Sequence, residues 1–119
     1  MMMIDGFLHM PSPPGSKILR TTVRLEDVTL SDAPSETIAQ QEATVVQDSG
    51  VGKFHLEVDE RRLISINRYI LTASAEVDHP SASGRWRYGV TQAYPWPSEP
   101  PVRLQLRPLY LIGGVDEQR

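Results

Sequence analysis

Alternation of apolar and polar residues is the dominant pattern along the chain. The pattern is cleanest where Phe54, Leu56 and Val58 are separated by polar residues. Successive side chains of a β-strand point to opposite faces of the sheet, so this spacing predicts a strand with one buried face. Helical periodicity is weak, and the chain as a whole therefore favours an all-β protein.

Several other segments share this pattern or an extended character. We predict strands at 3–9, 17–28, 36–46, 69–77, 86–90 and 102–107 in addition to the one around Phe54. Residues 35–43 also contain good helix formers, so one or two helical turns are an alternative there. Residues 95–101 hold four prolines, which favours a rigid extended crossing over a ladder strand.

Short strands separated by regular turn signals define the expected fold class. About seven or eight such strands predict an antiparallel β-sandwich, with a barrel as the related possibility. A change of phase at Glu26-Asp27 indicates a β-bulge, after which Val28 and Leu30 continue the apolar contacts. We expect Leu109 to Ile112 to dock on the protein. The residues predicted to meet in the core are Val23, Phe54, Leu71, Trp86 and Leu104.

Length and composition limit the organisation of the chain. The 119 residues suit a single domain, residues 1–119, with a core from about 3 to 110 and a frayed C-terminal tail. The chain has no cysteine, which excludes disulfides, thiolate metal sites and a cysteine nucleophile. A net charge of −3 argues against nucleic-acid binding, which relies on a basic surface.

The opening "MMMIDGFLHM" does not resemble a secretory signal. It lacks a basic region, and Asp5 and His9 interrupt its apolar run. No stretch approaches the roughly 20 apolar residues of a membrane helix, so we predict no membrane anchor in this chain. The chain as given is expected to be cytoplasmic, or periplasmic or outer-membrane if an export segment has been removed.

Motifs for catalysis, metals and cofactors are weak. "SGVGKF" at 49–54 lacks the first glycine of a phosphate-binding loop and has Phe54 at its Ser/Thr position. His9, His55 and His79 are far apart in sequence, and His79 falls in a predicted loop. The carboxylates from Glu26 to Glu36 lack the spacing of a calcium loop. We therefore predict no catalytic residues, no metal, no cofactor and no enzymatic activity.

Arginine is used ten times against two lysines. Arg85, Arg87, Arg103 and Arg107 all lie opposite the presumed core face, and they would form one basic stripe if their two strands are neighbours. Arginine suits bidentate capture of carboxylate or phosphate. The stripe is therefore either a solvated face or a site for a small anionic ligand or glycan.

An aromatic and proline-rich zone surrounds Tyr94 and Trp96 in "AYPWP". Two prolines flank Trp96, which makes it the aromatic residue expected to be exposed. Aromatic residues often anchor protein interfaces. We predict a partner contact at Trp96 and Tyr94, with a lid over the end of the sandwich as the alternative for Trp96.

Three separated segments resemble one family in the same order. "VRLEDVTLSDAPSETIAQQ" (23–41), "KFHLEVDERRLISINRYILTASAEV" (53–77) and "TQAYPW" (91–96) are similar to motifs of the YbaY/YscW family. The resemblance covers nearly all of residues 5–108. That family includes pilotins of type III secretion systems, which are lipoproteins anchored through an N-terminal cysteine that this chain lacks.

The resemblance implies a compact β-sandwich, no catalysis, and a role in secretin piloting or chaperoning. A partner would then be another protein, secretin-like or otherwise of the cell envelope. We expect a protein-binding module that recognises a segment of another chain by sheet-edge addition or through the zone of Trp96. The sequence gives no prediction of the oligomeric state.

Overall fold

A computed structural model describes residues 1–30, 32–46, 49–80 and 84–113. It confirms the predicted all-β class, with nine strands and one short 3-10 helix over Glu60–Arg62 in these residues. The strands are β1 (Met2–His9), β2 (Lys17–Asp27), β3 (Glu36–Glu42), β4 (Thr44–Val45), β5 (Val51–Val58), β6 (Tyr69–His79), β7 (Gly84–Val90), β8 (Tyr94–Trp96) and β9 (Val102–Gly113). The tail beyond Gly113, predicted to be frayed, lies outside the described residues.

The strands form one sheet in the order β3-β2-β6-β7-β9-β1-β5-β4, with β8 paired to β6. All described ladders are antiparallel except that between β1 and β9, which is parallel. β3 and β4 lie at opposite ends of this order but are separated by Ala43 alone. One bent segment therefore joins both ends of the sheet and nearly closes it into a barrel, whose two facing walls correspond to the predicted sandwich.

The core is built from alternate residues of the strands, as the pattern predicts. Val23, Phe54, Leu71 and Leu104 are all buried within it. Trp86 differs, because it is only partly buried and stacks on the ring of His79 at 5.5 Å between centroids. The sequence placed His79 in a loop, but it is the last residue of β6. The His79–Trp86 stack therefore lies at the margin of the core.

Extra residues in the ladders change which side chains are buried. In the sequence, Leu19 alternates in step with Thr21, Val23 and Leu25, which predicts that it is buried with them. It has no partner in β6 between Ile18 and Arg20, however, and it is exposed. The bulge expected near Glu26 is present, but the extra residue is Ile38 of β3. Leu30 is also exposed, so the predicted apolar contacts do not continue that far.

Of two predictions near the C-terminus, one was wrong and the other was right for the backbone alone. Residues 95 and 96 belong to a ladder after all, since Tyr94–Trp96 pairs with the start of β6. Pro95 is accommodated there because β8 is a short strand at the edge of the sheet. Leu109 to Ile112 dock through the backbone, because β9 extends along β7 to Gly113, but their side chains stay 37% to 54% exposed instead of being buried.

The segment after β2 is fixed by hydrogen bonds around Asp27. The Asp27 carboxylate accepts hydrogen bonds from the amide and hydroxyl of Thr29 and, at 2.9 Å, from Nδ2 of Asn67. The Thr29 hydroxyl in turn accepts the amide of Arg68 at 2.9 Å. These bonds tie β2 to the turn before β6, so this stretch of the family resemblance has a structural role.

The free side of β3 is covered by an arginine. Arg62 donates from Nη1 to the carbonyl of Ile38 at 2.9 Å and from Nη2 to the Glu36 carboxylate at 3.2 Å. No described ladder joins β3 to β5. On its side toward β3, β5 pairs only with β4, at Gly52 and Lys53. Arg62 therefore gives the Ile38 carbonyl of β3 a charged side-chain donor.

Replacing Arg62 with alanine is expected to destabilise the protein by about 1 kcal/mol, because the Ile38 carbonyl loses a charged donor in a partly buried position. Arg61→Ala is the matched control. The Arg61 side chain is exposed and bonds only to Asp59 among the described residues, so its loss should destabilise the protein clearly less than the loss of Arg62. Urea denaturation measures both values, and equal values would contradict the role of Arg62.

Asp27 should make stability depend on pH in the acid range. The hydroxyl of Thr29 chiefly, then its amide and Asn67, lower the pKa of Asp27 below its usual 3.8. Because the folded pKa is the lower one, this stabilisation is complete above the unfolded pKa and is lost as pH falls through the folded value. Asp27→Asn should reduce the loss of stability between pH 7 and pH 2.5, as measured by urea denaturation. Thr29→Val should raise the pKa of Asp27 toward its usual value, and unchanged pH profiles in both variants would contradict this account.

Candidate functional site

The first and last strands meet in a parallel ladder. Gly6 to His9 pair with Val102 to Gln105. Gly6 permits this approach, since a Cβ there would lie 2.6 Å from the ring of Phe54 and 2.8 Å from the carbonyl of Val102. The register places Phe7 beside Arg103 and His9 beside Gln105 on the outer surface, while Leu8 and Leu104 point into the core.

We call this outer surface the β1–β9 face. It consists of Phe7, His9, Tyr94, Arg103, Gln105 and Arg107. A groove of about 520 Å³ crosses it, lined by Phe7, Leu8, His9, Val51, Arg103, Leu104 and Gln105. Phe7 and Val51 are both partly exposed to solvent.

Arg103 lies over the aromatic ring of Phe7. Its guanidinium carbon is 5.9 Å from the ring centroid, which is within the range of a cation–π contact. The Arg103 amide donates to the Tyr94 hydroxyl at 3.4 Å. The β1–β9 face thus combines an exposed aromatic ring with a cation that the ring helps to orient.

A second groove of about 270 Å³ lies on the other side of Arg103. It is lined by Val90, Thr91, Gln92, Ala93, Tyr94, Arg103, Leu104, Gln105 and Arg107. Arg107 donates from Nη2 to the side-chain carbonyl of Gln105 at 3.3 Å. Within the described residues, neither Arg103 nor Arg107 has a carboxylate within the 4.0 Å of a salt bridge, so both cations are uncompensated.

The other two predicted arginines are compensated. Arg85 donates from Nε to Asp78 at 2.9 Å, and Arg87 Nη2 lies 3.5 Å from Glu76. The bond to Asp78 also raises the pKa of the Arg85 guanidinium. β7 and β9 are neighbours, which was the condition for one continuous stripe, but acidic residues of β6 neutralise the β7 arginines. The predicted stripe is therefore divided into a neutralised pair on β7 and a pair on β9 that has no carboxylate partner among the described residues.

Trp96 and Tyr94, the two aromatic residues predicted to contact a partner, also lie in different surroundings. Trp96 is partly buried and packs edge-to-face on Tyr69, with 6.4 Å between ring centroids. Part of the Trp96 ring is therefore packed on the protein itself, and its contact with a partner stays a prediction. Tyr94 instead joins Arg103 and Arg107 on the β1–β9 face.

Sequence reasoning missed Phe7, His9 and Gln105. A signal was present for Phe7, because the alternation of Ile4, Gly6 and Leu8 places it on the outside of its strand, where a phenylalanine is unusual. No sequence pattern could indicate that β1 and β9 pair, since they stand at opposite ends of the chain.

The ionisable groups are dispersed over the molecule. His55 Nδ1 lies 2.6 Å from the Asp5 carboxylate, and His79 Nε2 lies 2.8 Å from the Tyr88 hydroxyl. Burial raises the pKa of Tyr88. The described part of the chain contains no group of three or more metal-ligating side chains. Among the helices of this described part, none has both the length and the hydropathy that a membrane span requires.

Comparison with known proteins identifies the family. The model of the family described as "Type III secretion system lipoprotein chaperone (YscW)" matches residues 9–106. A solved structure of an alternative pilotin from the type II secretion system of Vibrio cholerae is similar, with a TM-score of 0.69 and 25% identity over 92% of this chain and 97% of that one. A search of curated proteins found no match. The family match spans most of the chain and agrees with the resemblance seen in its sequence, and the chain therefore belongs to the YscW family.

Proposed function

We propose that this protein is a non-enzymatic chaperone of a secretion system that holds a segment of a partner protein on its β1–β9 face. The observation that carries the proposal is the pairing of exposed Phe7 with uncompensated Arg103 between two grooves. Membership in a family of secretion chaperones and the likeness to a pilotin support it.

The β1–β9 face suits a polypeptide segment. Phe7 and Val51 offer apolar surface to a side chain of the partner, and Arg103 and Arg107 offer donors for its carboxylates. Small-molecule sites usually enclose most of their ligand. The grooves here are shallow and follow two strands, which fits a longer ligand that extends over the surface.

The partner we propose is a secretin-like or other envelope component of the secretion machinery. This assignment rests on the family and on the pilotin neighbour. On this proposal the chain acts as one domain, because its first and last strands together form the face.

A small anionic ligand or glycan is the second candidate. Uncompensated Arg103 and Arg107 beside the smaller groove are the observation that favours it. Only half of the predicted arginine stripe is free, however, and the exposed ring of Phe7 has no evident use in binding an anion alone. The geometry therefore supports a protein segment better.

Photo-cross-linking tests the proposed partner contact. A benzoylphenylalanine in place of Phe7, with the protein produced in its native organism, should form an adduct with one protein of the secretion machinery. The same probe at Ile66, which is 85% exposed in the turn before β6, is the control. Mass spectrometry identifies the adducts. Equal adducts at both positions, or a partner from outside the secretion machinery, would disprove the proposal.

The β9 arginines should dominate binding of anions. Arg103→Gln with Arg107→Gln and Arg85→Gln with Arg87→Gln each remove two positive charges, so the two double variants have equal net charge. The first should elute from a heparin column at clearly lower salt than the native protein, while the second should be nearly unchanged because Glu76 and Asp78 already neutralise its arginines. Equal shifts would show that net charge alone decides retention.

A further inference from the structure

The C-terminal half of β9 has one unpaired edge. Leu106 to Gly113 pair with β7 on one side. On the other side the ladder with β1 ends at Gln105, because β1 ends at His9. Within the described residues, no strand occupies this side of β9 beyond Gln105. Its free backbone donors and acceptors are therefore available to another strand.

This edge carries apolar side chains on both faces. Two register shifts against β7 insert Leu109 and Ile112 as extra residues, between the paired positions Pro108, Tyr110, Leu111 and Gly113. The side chains of Leu109 to Ile112 are all partly exposed. Leu109 crosses the outer surface over Gly89, where a Cβ would meet its Cδ1 at 2.7 Å. The segment is thus held against β7 while its outer edge stays open.

The part of this edge from Leu109 to Gly113 has few of the devices that usually protect exposed strands. Charged side chains, prolines, β-bulges and covering groups prevent unwanted pairing at such edges. Arg107 and Pro108 lie at the start of the edge, and the two bulges against β7 lie further along it. The free side of β3 has such a cover in Arg62, which bonds the Ile38 carbonyl. Leu109 to Gly113 contain no charge and no proline. An open apolar edge of this kind is typical of a site where a second chain is added.

We infer that the edge from Leu109 to Gly113 accepts an extended segment of a partner protein as an added strand, and that this segment carries a carboxylate for Arg107. The inference rests on the proposed function and names the chemistry of the partner. Arg107 lies at the near end of the edge and also belongs to the β1–β9 face, so both surfaces are continuous. A segment with alternate apolar residues and an acidic residue near one end complements them.

A second copy of this chain complements the edge less well. β9 contains Arg103 and Arg107 but no aspartate or glutamate. Antiparallel pairing of two copies about Tyr110 would place Arg107 opposite Gly113. Pairing along β9 alone would therefore bring no carboxylate to either arginine, whereas an acidic partner strand would neutralise them.

Two short synthetic peptides with blocked ends provide the probe. Both alternate valine and threonine, and one has glutamate at its ends where the other has lysine. With the full chain at low salt, the glutamate peptide should slow amide hydrogen exchange within residues 109–113, as followed by NMR. It should bind about tenfold more tightly than the lysine peptide, because charge-assisted hydrogen bonds to Arg107 form only with the carboxylate.

Matched variants localise the binding. Ile112→Lys places a charge on the edge and should weaken binding of the glutamate peptide at least tenfold. Ile66→Lys makes the same change at an exposed position outside β9 and should have no effect. Arg107→Gln should remove the preference for glutamate over lysine. Thermal unfolding followed by circular dichroism confirms that each variant is folded.

Several results would overturn the inference. They are exchange protection outside β9, equal binding by both peptides, unchanged binding in Ile112→Lys, no detectable binding, and dimerisation of the native chain through residues 109–113 in sedimentation equilibrium. The cross-link at Phe7 separates this inference from the proposed function. An adduct that forms without any strand addition at the edge leaves the function standing, and strand addition without an adduct removes the function alone.

Discussion

The interior of the barrel is filled with side chains, and this constraint decides where the protein can act. Every long strand contributes its inward residues to one apolar core that includes Phe54 and Tyr88. Close packing of this kind leaves little room for a ligand inside the core that the structure describes. Binding is therefore expected on the outer faces of the strands and at their unpaired edges. The β1–β9 face and the end of β9 are both surfaces of this type.

The sequence predicts most of the core because burial follows a period of two along each strand. Val23, Phe54, Leu71 and Leu104 could be placed inside from their spacing alone. The errors occur where a ladder gains a residue, as at Leu19, because an extra residue reverses the facing of its neighbours. The position of a bulge depends on the strand that pairs with the segment, and a single sequence does not show which strand that is.

The candidate site was predictable only in part, for a related reason. Arg103, Arg107 and Tyr94 could be chosen as exposed residues that suit recognition. Whether an arginine is free depends on the residue opposite it, and β6 places Glu76 and Asp78 opposite Arg87 and Arg85. Whether an arginine is neutralised thus depends on which residue the strand register places opposite it. The same holds for Phe7, which gains its place beside Arg103 through a pairing of distant segments.

The parallel ladder between β1 and β9 also governs the order in which the molecule is assembled. Its partners, such as Phe7 and Arg103, are separated by nearly the whole chain. Contacts of such long range form slowly, because the intervening loop must lose its conformational freedom first. During synthesis the β1–β9 face cannot exist until the last strand has left the ribosome. A partner that needs this face therefore meets only chains in which β9 has already been made, and it cannot bind shorter nascent chains.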